Sequence, residues 1–177
     1  MSINKQNPLD FIKISTKPTK VNIDKVLSLL AETPGKLAGL SEGLAADQVE
    51  RPLAPGEWSQ KQVLAHLIAC AEVRSNRIYF ALLLKEPLVP DVHPQRQWEK
   101  LLRYGDRPYA DLLSDFRLRR EVLLSVLRPL SEAEWGREVR GDKRAHSVFN
   151  LARNIALHEY GHCSDMQDIL PAFLGAW

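Results

Sequence analysis

Two histidines, His158 and His162, stand four residues apart in the run Leu157-His158-Glu159-Tyr160-Gly161-His162, a spacing that puts both imidazoles on one face of a helix. A third, His66, lies early in another strongly helical segment. A neutral imidazole donates a nitrogen lone pair to a divalent transition metal. Three such donors from two facing helices leave a coordination position open for water or substrate, which is what separates a catalytic centre from a closed structural one. An ion so held lowers the pKa of bound water, polarises a carbonyl or activates a thiol. Nickel and zinc both suit nitrogen donors, so the donor set does not choose between them. Against this stands a plainer reading, in which an i,i+4 histidine pair only decorates a polar core or a surface.

The neighbours of these residues set further expectations. Cys70, one turn beyond His66, reads as a small buried core residue before it reads as a fourth ligand, because a thiolate there would close the open position. Cys163 follows His162 directly and turns about 100° away from its face. Glu159 completes a formal His-Glu-x-x-His pattern, the zinc-protease signature. That signature needs a further ligand downstream, and after His162 only Asp165, Asp168 and the chain terminus carry a carboxylate. Glu159 is therefore kept as a candidate general base or supporting carboxylate, and Asp165 as a candidate to orient His162. Arg77 is a candidate to meet an anionic group, with an interhelical salt bridge as the competing role. Arg74, Arg153 and Tyr160 read as packing or surface residues. His93 and His146 fall in loops and read as solvated.

Helical periodicity supplies the elements that must position the site. Ile23, Val26, Leu27, Leu30, Leu37, Leu40 and Leu44 mark a first helix region from Asn22, kinked or broken at Thr33-Pro34. The second helix starts most clearly: Ser59 caps it, Gln62 falls where a capping box needs it, and Trp58 can staple against Val63. Its apolar stripe runs to Leu82 before Pro87, a segment of about 25 residues or roughly 37 Å. Residues 86–107 are rich in proline and charge, with a short turn around Trp98, Leu101 and Leu102, and read as a long crossover. A third helix spans about Pro108 to Leu127, and Ser131 with Glu134 caps a short turn holding Trp135. Residues 136–146 read as a charged, glycine-punctuated loop. The fourth helix begins near Ser147 and is expected to end before Pro171, with Leu151, Ile155, His158, His162 and Ile169 on its inner face. No run alternates persuasively enough for a sheet, and no internal repeat appears. The expectation is an all-α four-helix bundle with a long crossover connection, residues 21–177, preceded by an N-terminal arm at 1–20.

Composition narrows the function classes. Lysine plus arginine number 24 against 22 acidic residues in 177, a formal charge of +2, and the excess is spread out, which argues against nucleic acid. Apolar runs are short and the first residues lack the apolar core of a signal peptide, so neither a membrane span nor export is expected, and the chain is read as cytoplasmic. Two cysteines inside helical patterns read as buried thiols and not as a disulfide framework.

The stretch Pro55-Gly56-Glu57-Trp58-Ser59-Gln60-Lys61-Gln62-Val63-Leu64-Ala65-His66-Leu67 resembles the signature around the first metal histidine of the DinB-like (DinB/YfiT-like) family of metalloenzymes. His158 and His162 fall where that family places its other two histidines, and Thr33-Pro34 before Leu37 and Leu40 is similar to its first helix. The resemblance spans roughly residues 22 to 170. It implies a four-helix bundle, often homodimeric, with one divalent ion such as nickel or zinc on His66, His158 and His162, and Trp58 packing at the start of the second helix. It also implies chemistry on small molecules: several relatives transfer or rearrange conjugates of low-molecular-weight thiols (mycothiol, bacillithiol or glutathione), which would pair a thiol with a small electrophile. One departure is the absence of an acidic residue three positions after His66, where Ala69 stands. The expected function is thus a divalent-metal-dependent thiol S-transferase or hydrolase. The alternative is a non-catalytic, metal-stabilised helical dimer or binding protein, in which the ion supplies folding energy alone.

Overall fold

The computed structural model describes residues 13–174. Four long helices carry it: α1 (Lys20–Ser41), α3 (Gln60–Leu83), α5 (Tyr109–Leu127) and α7 (Val148–Leu174). Short elements fill the connections, namely α2 (Ala46–Glu50), α4 (Lys100–Leu102), α6 (Glu132–Trp135) and the strands β1 (Glu138–Arg140) and β2 (Ala145–Ser147). The starts obey local chemistry. Thr19 accepts from the Asn22 amide at the head of α1, and Ser59 with Gln62, and Ser131 with Glu134, form capping boxes at α3 and α6, each satisfying two otherwise orphaned amides.

The core divides into two apolar clusters. One gathers Val26 and Leu30 of α1, Ile78 and Ala81 of α3, Leu123 and Leu127 of α5, and Phe149, Ala152 and Ile155 of α7. The other gathers Leu37 of α1, Leu64, Leu67 and Ile68 of α3, Leu112 and Phe116 of α5, and Cys163 and Met166 of α7. Residue numbers rise from the first cluster to the second in α1 and α7 and fall in α3 and α5, so each pair is parallel within itself and antiparallel to the other. Since α3 and α5 pack as neighbours and run the same way, the chain between them must return the length of the bundle. Residues 84–108 make that crossover. Between the clusters lies a polar layer of Thr33, Arg120 and Glu159, which are 3%, 3% and 1% exposed. Arg120 Nη2 donates to Glu159 Oε1 at 2.5 Å, joining α5 to α7.

Four local expectations change. First, α1 runs unbroken through Pro34. Leu30 and Leu37, either side of the proline on one face, are both buried, and that burial outweighs the roughly 3 kcal/mol that an interior proline costs. Second, α7 continues past Pro171 to Leu174, with the proline inside its last turns. Third, residues 138–147 form an antiparallel hairpin with Val139 opposite His146, strands too short for alternation to announce. The crossover is tied to it by the Val89 amide on the Arg140 carbonyl and the Arg140 amide on the Pro87 carbonyl, both 2.9 Å. Fourth, the turn around Trp98 is a six-residue π-type helix at Pro94–Glu99 running into α4. Of the N-terminal arm, residues 1–12 lie outside the described residues. Ile14 is buried in the first cluster, and its carbonyl accepts from Arg153 Nε at 2.8 Å.

Candidate metal centre

The capping box that starts α3 places His66 on its second turn, on the side that faces α7. There His158 and His162 occupy one stripe of α7, because 3.6 residues per turn stack positions four apart. The three rings converge. Their centroids are 5.0 Å apart for His66 and His158, 5.3 Å for His66 and His162, and 4.7 Å for His158 and His162. His66 Nε2 lies 3.2 Å from His158 Nε2. Two nitrogens each about 2.0–2.1 Å from one ion at tetrahedral to octahedral angles stand roughly 2.9–3.4 Å apart, and their rings about 4.5–5.3 Å. The His66–His158 spacing therefore fits one divalent ion, while His162 approaches the pair by its ring and is not in the group of described residues whose ligand atoms all lie within 4.8 Å of one another.

Cys70 adds a fourth group. Its Sγ is 3.6 Å from His66 Nε2, and His66, Cys70 and His158 offer ligand atoms all within 4.8 Å of one another. Cys70 is buried as expected, 5% exposed, and its thiol also stands at the edge of the cluster. By contrast Cys163 packs into the second apolar cluster, where burial pushes its thiol up to about 12.

Burial also sets the electrostatics. Desolvation, helped by His162 and by Arg74, depresses His66 to about 4 and His158 to about 3, and desolvation lowers His162 against the opposing charge of Asp165. All three rings are consequently neutral at physiological pH, the state with lone pairs to give. The Cys70 thiol is raised by desolvation, while Arg74 pulls it down.

Trp58, expected to pack at the helix start, also walls the site. Its ring meets His66 edge-on at 5.0 Å and stacks on His162 at 6.3 Å with planes 7° apart. A cavity of ≈ 230 Å³ opens beside it, lined by Gly56, Glu57, Trp58, His162 and Asp165 among others. Asp165 is exposed and makes no hydrogen bond to His162 among the described residues.

Glu159 follows His158 but turns into the bundle axis. Burial pushes its carboxyl up, and Arg120 chiefly opposes this. Arg77, a sequence candidate for anion contact, is ion-paired to Asp91 of the crossover. His93 instead caps the π-type helix, its Nδ1 accepting from the Arg96 amide, and His146 sits in β2. Two residues that the sequence did not place at the site come close: Glu99, which it did not single out, and Arg74, which it read as packing or surface. The Glu99 carboxylate, from the crossover, bears on the Cys70 thiol; burial raises it, and its Oε2 is sealed from solvent with no hydrogen-bond partner among the described residues. Arg74 donates to the Cys70 carbonyl at 3.0 Å. The crossover is held here by Glu72 of α3, whose Oε2 accepts from Trp98 Nε1 at 2.9 Å and from the Tyr104 hydroxyl.

Comparison with known proteins agrees with the fold. A family model described as the DinB superfamily matches residues 29–166. YfiT of Bacillus subtilis (strain 168), named as a candidate metal-dependent hydrolase, is 29% identical over 142 residues, covering 77% of this chain and 76% of its own. Its solved structure, described as an unusual four-helix bundle, superposes with a TM-score of 0.77 at 20% identity over 89% of this chain and 91% of that one. A mycothiol-dependent maleylpyruvate isomerase superposes at 0.61 with 17% identity, over 81% of this chain and 60% of the isomerase. Among the described residues no helix is long and apolar enough to cross a membrane.

Proposed function

The chain belongs to the DinB superfamily, and from that premise we propose that it is a divalent-metal-dependent enzyme acting on small molecules, as a thiol S-transferase or a hydrolase. His66, His158 and His162 hold one ion per chain, nickel or zinc, and the active unit is a homodimer. The observation that carries this reading is the convergence of three neutral imidazoles from two helices at mutual separations of 4.7–5.3 Å. A divalent ion bound there supplies Lewis acidity, enough to polarise a carbonyl or acidify a thiol or water.

The chain's own residues do the rest. Desolvation keeps the rings neutral near pH 7. Trp58 fixes the planes of His66 and His162 and borders the cavity through which a small molecule reaches His162. The crossover, pinned through Glu72, covers the flank of α3 and limits solvent access. Glu159, buried on Arg120, holds α7 in register and does not move protons. The mycothiol dependence of the isomerase supports a low-molecular-weight thiol as one substrate and a small electrophile as the other.

One observation favours a second reading. Cys70 Sγ, 3.6 Å from His66 Nε2, would close the site as a fourth donor and make it structural. Elemental mass spectrometry on untagged protein, with the His66→Ala/His158→Ala/His162→Ala and Cys70→Ser variants, decides. About one ion per chain, lost in the triple variant and kept in Cys70→Ser, supports the open site and justifies a screen of thiol transfer and hydrolysis. Metal lost with Cys70 supports the structural site, and no metal in the wild type under reconstitution sinks both.

A further inference from the structure

The structure assigns Arg74 as the anion-recognising residue of this centre, and with it a small carboxylate as the substrate class; the inference rests on the metal-centre reading above. His66, Cys70 and Arg74 stand at i, i+4 and i+8 of α3, one stripe facing the site. Side chains on a helix lean toward its N-terminus, and Arg74 does so, its Nη1 donating to the Cys70 carbonyl at 3.0 Å. Cys70 stands four residues, about 6 Å, along the axis from His66, and the guanidinium at its carbonyl lies somewhat beyond that level.

The arginines packed deeper have carboxylates: Arg77 holds Asp91 and Arg120 holds Glu159. Among the described residues no carboxylate lies within ion-pairing distance of Arg74. None of its nitrogens is among those sealed from solvent without a partner, so the unused arms of the fork open onto accessible space. A guanidinium fork with one backbone bond and no counter-ion has the geometry to take a carboxylate through two parallel N–H···O bonds. The separation from His66 suits a ligand with about three to five heavy atoms between its carboxylate and its reacting atom.

The test is a titration of zinc-loaded and of metal-free protein with the linear monocarboxylates from acetate to hexanoate, and with their uncharged amides. Binding is read from the side-chain Nε–Hε resonance of Arg74 by NMR and from metal content by mass spectrometry. The expected result is a carboxylate-dependent shift of that resonance, no response to the amides, and affinity ten- to a hundredfold weaker in Arg74→Gln. Arg74→Lys, which keeps the charge and loses the fork, falls between, and both variants retain the wild-type ion. Equal carboxylate affinity in wild type and Arg74→Gln overturns the assignment. So does a silent Arg74 resonance, or loss of the ion in both variants, which would make Arg74 a residue that organises ligands. Failure of the wild type to take up metal sinks the metal-centre reading instead, while the metal-free titration still decides for or against Arg74.

Discussion

Replacing Arg120 with leucine should unfold this protein far more readily than its single lost hydrogen bond suggests. Arg120 and Glu159 are 3% and 1% exposed, sit between two apolar clusters, and join α5 to α7 at 2.5 Å. Removing one partner strands the other charge without solvent, at a cost of about 3–5 kcal/mol. Domains of this size have about 5–15 kcal/mol in all and shift about 2–4 °C per kcal/mol, so a drop of roughly 6–20 °C in Tm is expected. The pH dependence follows from Glu159. Burial already raises its folded pKa above the unfolded value, with Arg120 opposing; without Arg120 it rises further. An acid with a raised folded pKa is favoured below its unfolded pKa, near 4.5, and loses that stability as pH rises through the folded value. The Arg120→Leu deficit is therefore larger at pH 8 than at pH 5. Replacing both residues with leucine should recover most of the loss, because paired buried charges gain little over well-packed apolar groups. Urea and thermal melts followed by circular dichroism measure all three variants. A melting point for Arg120→Leu within about 2 °C of wild type, or a double variant as unstable as the single, would refute the reasoning.

Three further outcomes are expected. Gly141→Ala places a Cβ against the side-chain ends of Arg77 and Asp91, so it should force apart the Arg77–Asp91 pair and speed amide exchange in residues 86–93 while costing less than about 1 kcal/mol of global stability, since both side-chain ends can shift; unchanged exchange there would count against the pair as a latch. The metal-free protein should lose stability as pH falls from 6.5, the ordinary histidine value, toward the about 4 and about 3 of His66 and His158, since the unfolded chain binds those protons first; a flat stability profile across that window contradicts the neutral, buried rings. Glu72→Ala removes the acceptor shared by Trp98, Tyr104 and Arg119, and limited proteolysis should then cut within 93–106 faster than in wild type, with cleavage elsewhere unaffected.

The sequence by itself determined the helices that carry the site and the three histidines. Ser59 and Gln62 announce the start of α3 through local hydrogen bonding, and the i,i+4 spacing of His158 and His162 fixes their common face of α7, because both depend only on residues a turn apart. The length of the crossover was legible for the same reason, from prolines and charge between two periodic stretches. Tertiary structure alone decided what those faces meet. Pro34 signalled a break that the burial of Leu30 and Leu37 overrode, and three-residue strands at 138–140 and 145–147 carried too little alternation to be read. Sequence spacing favours Arg77, which at eleven residues past His66 returns to nearly the same helix face, over Arg74; the fold reverses that preference. Arg74 lies open beside Cys70 and Arg77 is tied to Asp91, fourteen residues away in the chain. Glu99 and Glu159 likewise exchange the roles their positions suggest: the carboxylate beside His158 turns inward to Arg120, while one from the crossover bears on Cys70. Periodicity gives the face on which a side chain stands, but its partner is set by helix packing and by a connection that returns from 33 residues beyond His66, over distances that local rules do not reach.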